Sequence, residues 1–133
     1  LKFLKKKEMQ EETKEILDDL AIKVKSVSSK VEFLSGGQRQ SIAIGKAVAS
    51  NPKVLIMDEP TSALAVAEVE SVLNLINKVK SLKVSVILIT HRLQDIFKVC
   101  DRIMVLYEGR NVAERRINET DLSEIVSLIV AEH

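Results

Sequence analysis

The sequence has little of several residue types, and each shortage excludes a class of protein. Cys100 is the single cysteine among 133 residues, so no disulfide can form within the chain, which is compatible with a reducing compartment. Aromatic residues make up only 3% of the chain, so a platform that stacks nucleic-acid bases is not expected. The net charge of +1 gives no electrostatic reason to expect nucleic acid as a partner.

Long hydrophobic runs are also missing. The longest runs, such as Val86 to Ile89, are far shorter than the ~20 apolar residues that span a bilayer as a helix. The first residues, Leu1 to Lys7, lack the apolar run of a signal peptide. Any connection to a membrane is therefore expected to go through a partner protein. Hydrophobic residues at 46% and charged residues at 29% predict a single domain with a core and a soluble surface.

A phosphate-binding loop is absent as well. No Gly-x-x-x-x-Gly-Lys-Ser/Thr sequence occurs in the 133 residues. Gly45-Lys46 looks like half of such a loop, but Ala47 follows it and has no hydroxyl for Mg²⁺. The pair lies inside a predicted helix, so we interpret it as surface. The chain begins with Leu1, and we expect a phosphate loop, if the protein has one, on residues outside these 133.

What is present is the hydrophobic patterning of an α/β domain. The pattern predicts helices over residues 4–20, 36–50, 66–82 and 92–99, and strands over residues 53–58, 84–90 and 102–107. A turn at Glu108-Gly109 precedes an outer strand at 111–116, and Thr120 or Asp121 caps a last helix. Strands that alternate with helices predict parallel pairing through right-handed crossovers. The uninterrupted apolar strands at 53–58 and 84–90 are expected to be buried on both faces.

The segment from Leu34 to Gln40 reads Leu-Ser-Gly-Gly-Gln-Arg-Gln and predicts a helix start that faces an anion. Ser35 is a good N-cap, and the paired glycines Gly36 and Gly37 should leave backbone N–H groups open to a close ligand. A helix N-terminus carries unsatisfied donors and a partial positive charge, so it binds phosphate well. An ordinary capped helix is the alternative interpretation of Ser-Gly-Gly when it stands alone.

Two carboxylates and a histidine follow the buried strands. Asp58 and Glu59 end the run Val54 to Met57, where Asp58 can hold Mg²⁺ directly or through water and Glu59 can polarise an attacking water. His91 ends the next strand and can donate a hydrogen bond to a terminal phosphate. Ligands of parallel sheets bind at the carboxyl ends of strands, where all three residues are predicted to lie.

In this order and at these spacings, the motifs resemble those of an ABC transporter ATP-binding domain. Residues 34–40 resemble the signature motif, 54–59 the Walker B motif with its catalytic glutamate, 61–65 the D-loop and 90–92 the switch-histidine loop. The resemblance implies a parallel-sheet P-loop NTPase core that lacks the phosphate-loop strand. Residues 1–34 would be the end of the helical subdomain with its linker, and residues 35–133 the C-terminal part of the catalytic core.

The resemblance also implies a mechanism and a set of partners. Ser35, Gly36, Gly37 and Gln38 would contact ATP held by a second ABC domain, either in a homodimer or in a fused tandem. The ATP of the same domain would be acted on by Asp58, which holds Mg²⁺, and by the catalytic residues Glu59 and His91. Transmembrane permease subunits would be moved, a solute-binding protein would take part indirectly, and the protein would lie at the cytoplasmic face of the cell membrane. The full-length protein would be an ATPase, and the 133-residue chain alone would be inactive.

The D-loop departs from the family pattern. Family D-loops usually read Ser-Ala-Leu-Asp, whereas Ser62-Ala63-Leu64 is followed here by Ala65. Loss of that aspartate is familiar in the ATPases of monosaccharide importers, of the ribose type, and the run from Thr90 to Phe97 resembles the same subfamily. Sugar import is therefore the expected function. The alternatives are a DNA-repair or chromosome-organising ABC ATPase, or a non-catalytic truncated module.

The resemblance makes one structural expectation testable. In the family's sheet, the phosphate-loop strand lies between the strand that ends at His91 and the strand at 102–107. Unpaired backbone groups of buried strands are costly, at about 1–3 kcal/mol each. We therefore expect either direct pairing of strands 84–90 and 102–107 or insertion of a strand from another molecule.

Overall fold

The computed structural model describes residues 5–131 and divides the chain into two compact units, of which one ends at Ile89 and the other begins at Thr90. The domain boundary predicted between residues 34 and 35 stays a prediction. The start of the first predicted helix, at residue 4, lies outside the described residues. None of the described helices is both long enough and apolar enough to cross a membrane.

The first unit is an α/β layer built on two parallel strands. It contains helices α1 (Lys6–Asp19), α2 (Gly36–Val48) and α3 (Val66–Ser81), and strands β1 (Val54–Asp58) and β2 (Ser85–Ile89). β1 and β2 pair in parallel, with Ile56 opposite Ile87, as the alternation of strand and helix predicts. A short 3-10 helix, Val31–Phe33, precedes α2.

The core of this unit lies around α3. Apolar residues of α3 recur at helical spacing, so one side of the helix is buried, including Val72, Ile76 and Val79. The prediction that Gly45 of α2 lies on the surface is wrong, because Gly45 is buried. Ile22 packs against it so closely that a Cβ added at Gly45 would lie 3.1 Å from Ile22 Cδ1. Lys46 is exposed, so half of that interpretation is confirmed.

The expectation that β1 and β2 are buried on both faces is wrong for the described residues. Met57 is 5% exposed, but Ile56 is 63% exposed and Ile87 is 50% exposed. Helix α3 packs against this two-stranded sheet, whereas no element of the first unit, as described, covers these isoleucines. Burial of a strand depends on what covers it, and an apolar run alone carries no information about that cover.

The second unit is a β-hairpin packed with helices. It contains α4 (Leu93–Val99), β3 (Arg102–Tyr107), β4 (Arg110–Arg116) and α5 (Leu122–Val130). β3 and β4 pair antiparallel, with a register shift at Val105/Leu106. Its core contains Ile96, Ile103, Val105, Ala113 and Ile125. Asp121 caps α5 by accepting a hydrogen bond from Glu124 N–H at 2.8 Å, which decides between the two predicted caps.

Each described sheet therefore has two strands, β1 with β2 and β3 with β4. Direct pairing of the strand at 84–90 with that at 102–107 is accordingly wrong for the described residues. Insertion of a strand from another molecule stays a prediction.

Candidate functional site

The helix start of the signature segment has the predicted cap. Ser35 is the N-cap of α2, and its Oγ accepts a hydrogen bond from Gln38 N–H at 3.2 Å. Gln38 Oε1 in turn accepts one from Ser35 N–H at 3.1 Å, which completes a capping box. Arg39 adds a side-chain hydrogen bond from Nη1 to the carbonyl of Leu34 at 2.8 Å. The backbone of this segment is therefore fixed from both sides of the cap.

The first-turn amides are less open than the sequence predicts. Gly37 N–H donates to Glu68 Oε1 at 3.2 Å, and Gln38 N–H donates to Ser35. The absence of a side chain at Gly36 and Gly37 is explained by packing as well as by access for a ligand. A Cβ on Gly37 would lie 2.7 Å from Glu68 Cβ, and one on Gly36 would lie 3.1 Å from Leu64 Cδ2. Close approach of α3 thus explains why glycine is needed at Gly37.

The acidic pair lies at the carboxyl end of β1, as predicted. Asp58 is the last residue of the strand and is exposed, and Glu59 follows it and is partly exposed. Glu59 N–H donates to the carbonyl of Ile89 at 2.8 Å, so the strand pairing continues past Asp58. Two adjacent carboxyl-bearing residues therefore stand where the paired part of the strand ends.

Glu59 has an unusual backbone conformation. Its φ is 47°, in the left-handed region that costs a residue with a Cβ roughly 1–2 kcal/mol. The carbonyl of Glu59 accepts hydrogen bonds from Ser62 Oγ at 3.1 Å and Ser62 N–H at 3.3 Å, which holds the turn. Such outliers concentrate at functional sites, although Ala21 and Glu108 in turns share the conformation. The strain therefore supports a functional role for Glu59.

The described residues contain no group of three or more His, Cys, Asp or Glu side chains that could hold a metal ion. That finding does not conflict with Mg²⁺ at Asp58. Mg²⁺ retains several waters and is commonly bound by one or two carboxylates together with substrate phosphates. An exposed carboxylate at a strand end fits a magnesium ion that arrives with a nucleotide.

The switch-histidine segment belongs to the second unit. His91 is exposed and precedes α4. The residues after it are held by an ion pair between Arg92 Nε and Asp95 Oδ2 at 2.9 Å, with Asp95 only 2% exposed. Arg92 N–H also donates to Thr90 Oγ1 at 3.1 Å. His91 therefore lies in a loop that is fixed on both sides.

Within the first unit the structure brings the signature segment together with the D-loop segment. Ala65 is the N-cap of α3 and offers no side-chain acceptor, and its N–H donates to Glu68 Oε2 at 3.2 Å. Thr61 is 1% exposed, whereas Ser62, Ala63 and Ala65 are exposed. Glu68 and Asp95 were not predicted as site residues from the sequence. The spacing of Ala65 and Glu68 matches the second half of a capping box, which was the available signal for Glu68.

The ABC transporter family model matches residues 2–62. Among curated relatives, the xylose/arabinose import ATP-binding protein XylG of Sulfolobus acidocaldarius is 42% identical over 129 residues, covering 97% of this chain and 51% of that protein. The ribose import ATP-binding protein RbsA of Bacillus licheniformis is 41% identical over 130 residues, covering 98% of this chain and 26% of that protein. The chain thus spans about half the length of XylG and a quarter of RbsA.

A solved structure supports the same relationship. The ADP conformation of MJ1267, an ATP-binding cassette of an ABC transporter, superposes with a TM-score of 0.75 at 30% identity, covering 92% of this chain and 46% of that chain. The predicted fold class is thereby confirmed, as an α/β fragment of the ABC ATPase type. Together with the sequence matches, this likeness shows that the chain belongs to the ABC transporter ATP-binding family.

Proposed function

We propose that this chain is the signature-bearing part of an ATP-hydrolysing subunit that energises sugar import. The observation that carries the proposal is the adjacent pair Asp58 and Glu59 at the carboxyl end of β1, with Glu59 held at a φ of 47°. In a family whose MJ1267 structure is an ADP conformation, a carboxylate fixed at this point suits attack of water on a terminal phosphate.

The predicted catalytic, metal-binding and signature residues each have a role in this proposal. Glu59 orients and polarises the attacking water, and Asp58 holds Mg²⁺ directly or through water. The ion, when bound, would neutralise charge that develops on the phosphates. His91 donates a hydrogen bond to the terminal phosphate of the same nucleotide. Ser35 to Gln38 offer the capped start of α2 to a nucleotide held by a second domain.

The proposed partners follow from that division of labour. A signature segment that serves another domain's nucleotide requires a second ABC domain, in a homodimer or a fused tandem. Transport requires transmembrane permease subunits, and these in turn receive solute from a binding protein. The subunit would lie at the cytoplasmic face of the cell membrane. Residues 1–34 are proposed as the end of the helical subdomain, and residues 35–133 as the C-terminal part of the catalytic core.

Sugar is the proposed solute class because of the relatives' names. XylG is named for xylose/arabinose import and RbsA for ribose import, and Ala65 replaces the D-loop aspartate as expected for such importers. Neither of these two relatives is named for DNA repair or chromosome organisation. Import of a monosaccharide is therefore favoured over that alternative.

Reconstitution tests the proposal. The full-length protein is combined with its permease in proteoliposomes, and ATP hydrolysis is measured together with uptake of radiolabelled pentoses and hexoses. We expect uptake of at least one sugar that depends on ATP and on the permease. Liposomes without permease are the control. Hydrolysis that no permease and no sugar influences, but that DNA stimulates, would contradict sugar import and favour the chromosome-organising alternative.

A further inference from the structure

A single carboxylate joins the starts of two helices in the first unit. Glu68 Oε1 accepts a hydrogen bond from Gly37 N–H of α2, and Glu68 Oε2 accepts one from Ala65 N–H at the start of α3, each at 3.2 Å. The first bond links residues that are far apart in sequence, and the second is local. Two amides that would otherwise lack intrahelical acceptors are thus bound by one side chain.

The same contact is tight in its apolar part. A Cβ at Gly37 would lie 3.1 Å from Glu68 Cγ and 3.3 Å from Glu68 Cδ, in addition to its clash with Glu68 Cβ. Leu64 meets Gly36 in the same way. The first turn of α2 and the end of the D-loop segment therefore lie at van der Waals distance, so a displacement of one presses directly on the other.

The electrostatics favour an ionised bridge. A hydrogen bond from the Ser35 side chain, followed by those from the Gly37 and Ala65 amides, holds the pKa of Glu68 below its ordinary value, and the positive charge of Arg39 acts in the same direction. A charged acceptor makes stronger hydrogen bonds than a neutral one. The groups that lower this pKa thus all lie within the signature segment or at the D-loop.

We propose that Glu68 is a positioning residue that couples the D-loop segment, 61–65, to the signature segment, 34–40. The inference rests on the proposed function, because the position of the signature segment matters only if it meets a nucleotide. Ala65 lacks the carboxylate that family D-loops carry at that position, and Glu68 supplies a carboxylate one helical turn later. By binding Gly37 N–H as well as Ala65 N–H, Glu68 sets the orientation of the start of α2. It touches no nucleotide itself.

A cavity of about 560 Å³ borders Glu68, Ser35 and Gln38. Water can therefore replace a deleted carboxylate as the acceptor for Gly37 N–H. Water cannot reproduce the fixed link to Ala65, because it is not attached to α3. We expect removal of Glu68 to leave the fold intact and to loosen the coupling.

The test uses three variants of the full-length protein: Glu68→Ala, Glu68→Gln and, as a charge-matched control, Glu15→Gln on the exposed side of α1. In Glu68→Ala, kcat for ATP is expected to fall about 10- to 100-fold, the scale of a misplacement of roughly 1 Å, with KM within about twofold of wild type. Glu68→Gln should be intermediate, because its single amide oxygen replaces two carboxylate oxygens. Glu15→Gln should match wild type.

Deuterium exchange of the backbone in residues 34–40 and 61–65 gives a readout that needs no turnover. We expect faster exchange in both segments of Glu68→Ala and unchanged exchange in Glu15→Gln. If wild type shows no hydrolysis, the proposed function fails, while the exchange measurement still decides whether Glu68 couples the segments. The inference is overturned if Glu68→Ala keeps wild-type kcat and exchange. It is equally overturned if, in both Glu68 variants, circular dichroism shows a loss of folded protein that accounts for the whole decrease in kcat.

Discussion

Substitution of Gly37 by alanine probes the contact between α2 and α3 most sharply. The added Cβ would lie 2.7 Å from Glu68 Cβ, closer than carbon atoms approach in folded proteins. Glu68 Cβ is attached directly to the backbone of α3, so a rotation of the side chain cannot relieve the clash. One helix start must move, which would stretch the hydrogen bond from Gly37 N–H to Glu68 Oε1, now 3.2 Å.

Two opposing terms set the size of the effect. Overpacking of this kind costs about 1–3 kcal/mol, whereas replacing glycine by alanine within a helix gains about 0.5–1 kcal/mol. The net change is a destabilisation of about 1 kcal/mol, within a range of roughly 0–2.5 kcal/mol. At about 2–4 °C per kcal/mol for a domain of family size, the melting temperature of the full-length protein should fall by a few degrees. Thermal unfolding followed by circular dichroism measures it.

Two other glycines of α2 serve as matched controls. A Cβ on Gly36 would lie 3.1 Å from Leu64 Cδ2, and one on Gly45 would lie 3.1 Å from Ile22 Cδ1. Both contacts are with the far ends of flexible side chains, which can yield by a few tenths of an ångström. Gly36→Ala and Gly45→Ala should therefore melt at or slightly above the wild-type temperature. A Gly37→Ala variant as stable as these two would refute the packing argument.

Three further predictions concern other parts of the chain. Ala65→Asp gives α3 a side-chain N-cap acceptor, and it should raise stability by about 0.5–2 kcal/mol, measured by urea unfolding of the full-length protein; an unchanged midpoint would contradict that capping role. Hydrogen bonds from Thr120 and then Arg115 hold the pKa of Glu124 below its ordinary value of 4.5. The stabilisation by ionised Glu124 is thus complete above that value and is lost as pH falls through the lower folded pKa. The melting temperature of Glu124→Gln should therefore lie below that of wild type at pH 7, and the difference should shrink towards acid pH. A difference that does not change with pH would contradict this stabilisation. The 133-residue chain alone should show no ATP turnover in a phosphate-release assay, because it contains no phosphate loop, and turnover that Glu59→Gln abolishes in that chain would disprove this.

Local patterns predicted the secondary structure well because local physics determines it. The strand predicted at 102–107 is β3 with the same bounds, since alternating burial and the turn at Glu108-Gly109 are both encoded nearby. The helix predicted at 66–82 is α3, Val66–Ser81, and the predicted cap at Ser35 is confirmed with its capping box. Each of these features depends on residues within a few positions of one another.

Features that depend on distant residues could not be predicted in this way. Burial of Ile56 requires an element that covers β1, and Gly45 is buried because Ile22 lies against it. The hydrogen bond from Gly37 to Glu68 joins two helices, and the hydrophobic periodicity of neither helix predicts it. The left-handed φ of Glu59 is likewise set by the turn after β1. A glutamate in the sequence does not by itself predict this backbone conformation.

The central claim, that the acidic pair after β1 serves ATP hydrolysis, is tested most directly by one measurement on full-length Glu59→Gln. Phosphate release and ATP binding are measured side by side for the variant and wild type. We expect the variant to bind ATP with wild-type affinity and to release phosphate at least about 100-fold more slowly, since loss of a general base costs about 10²–10⁴-fold in rate. Equal phosphate release by the variant and wild type would contradict the account.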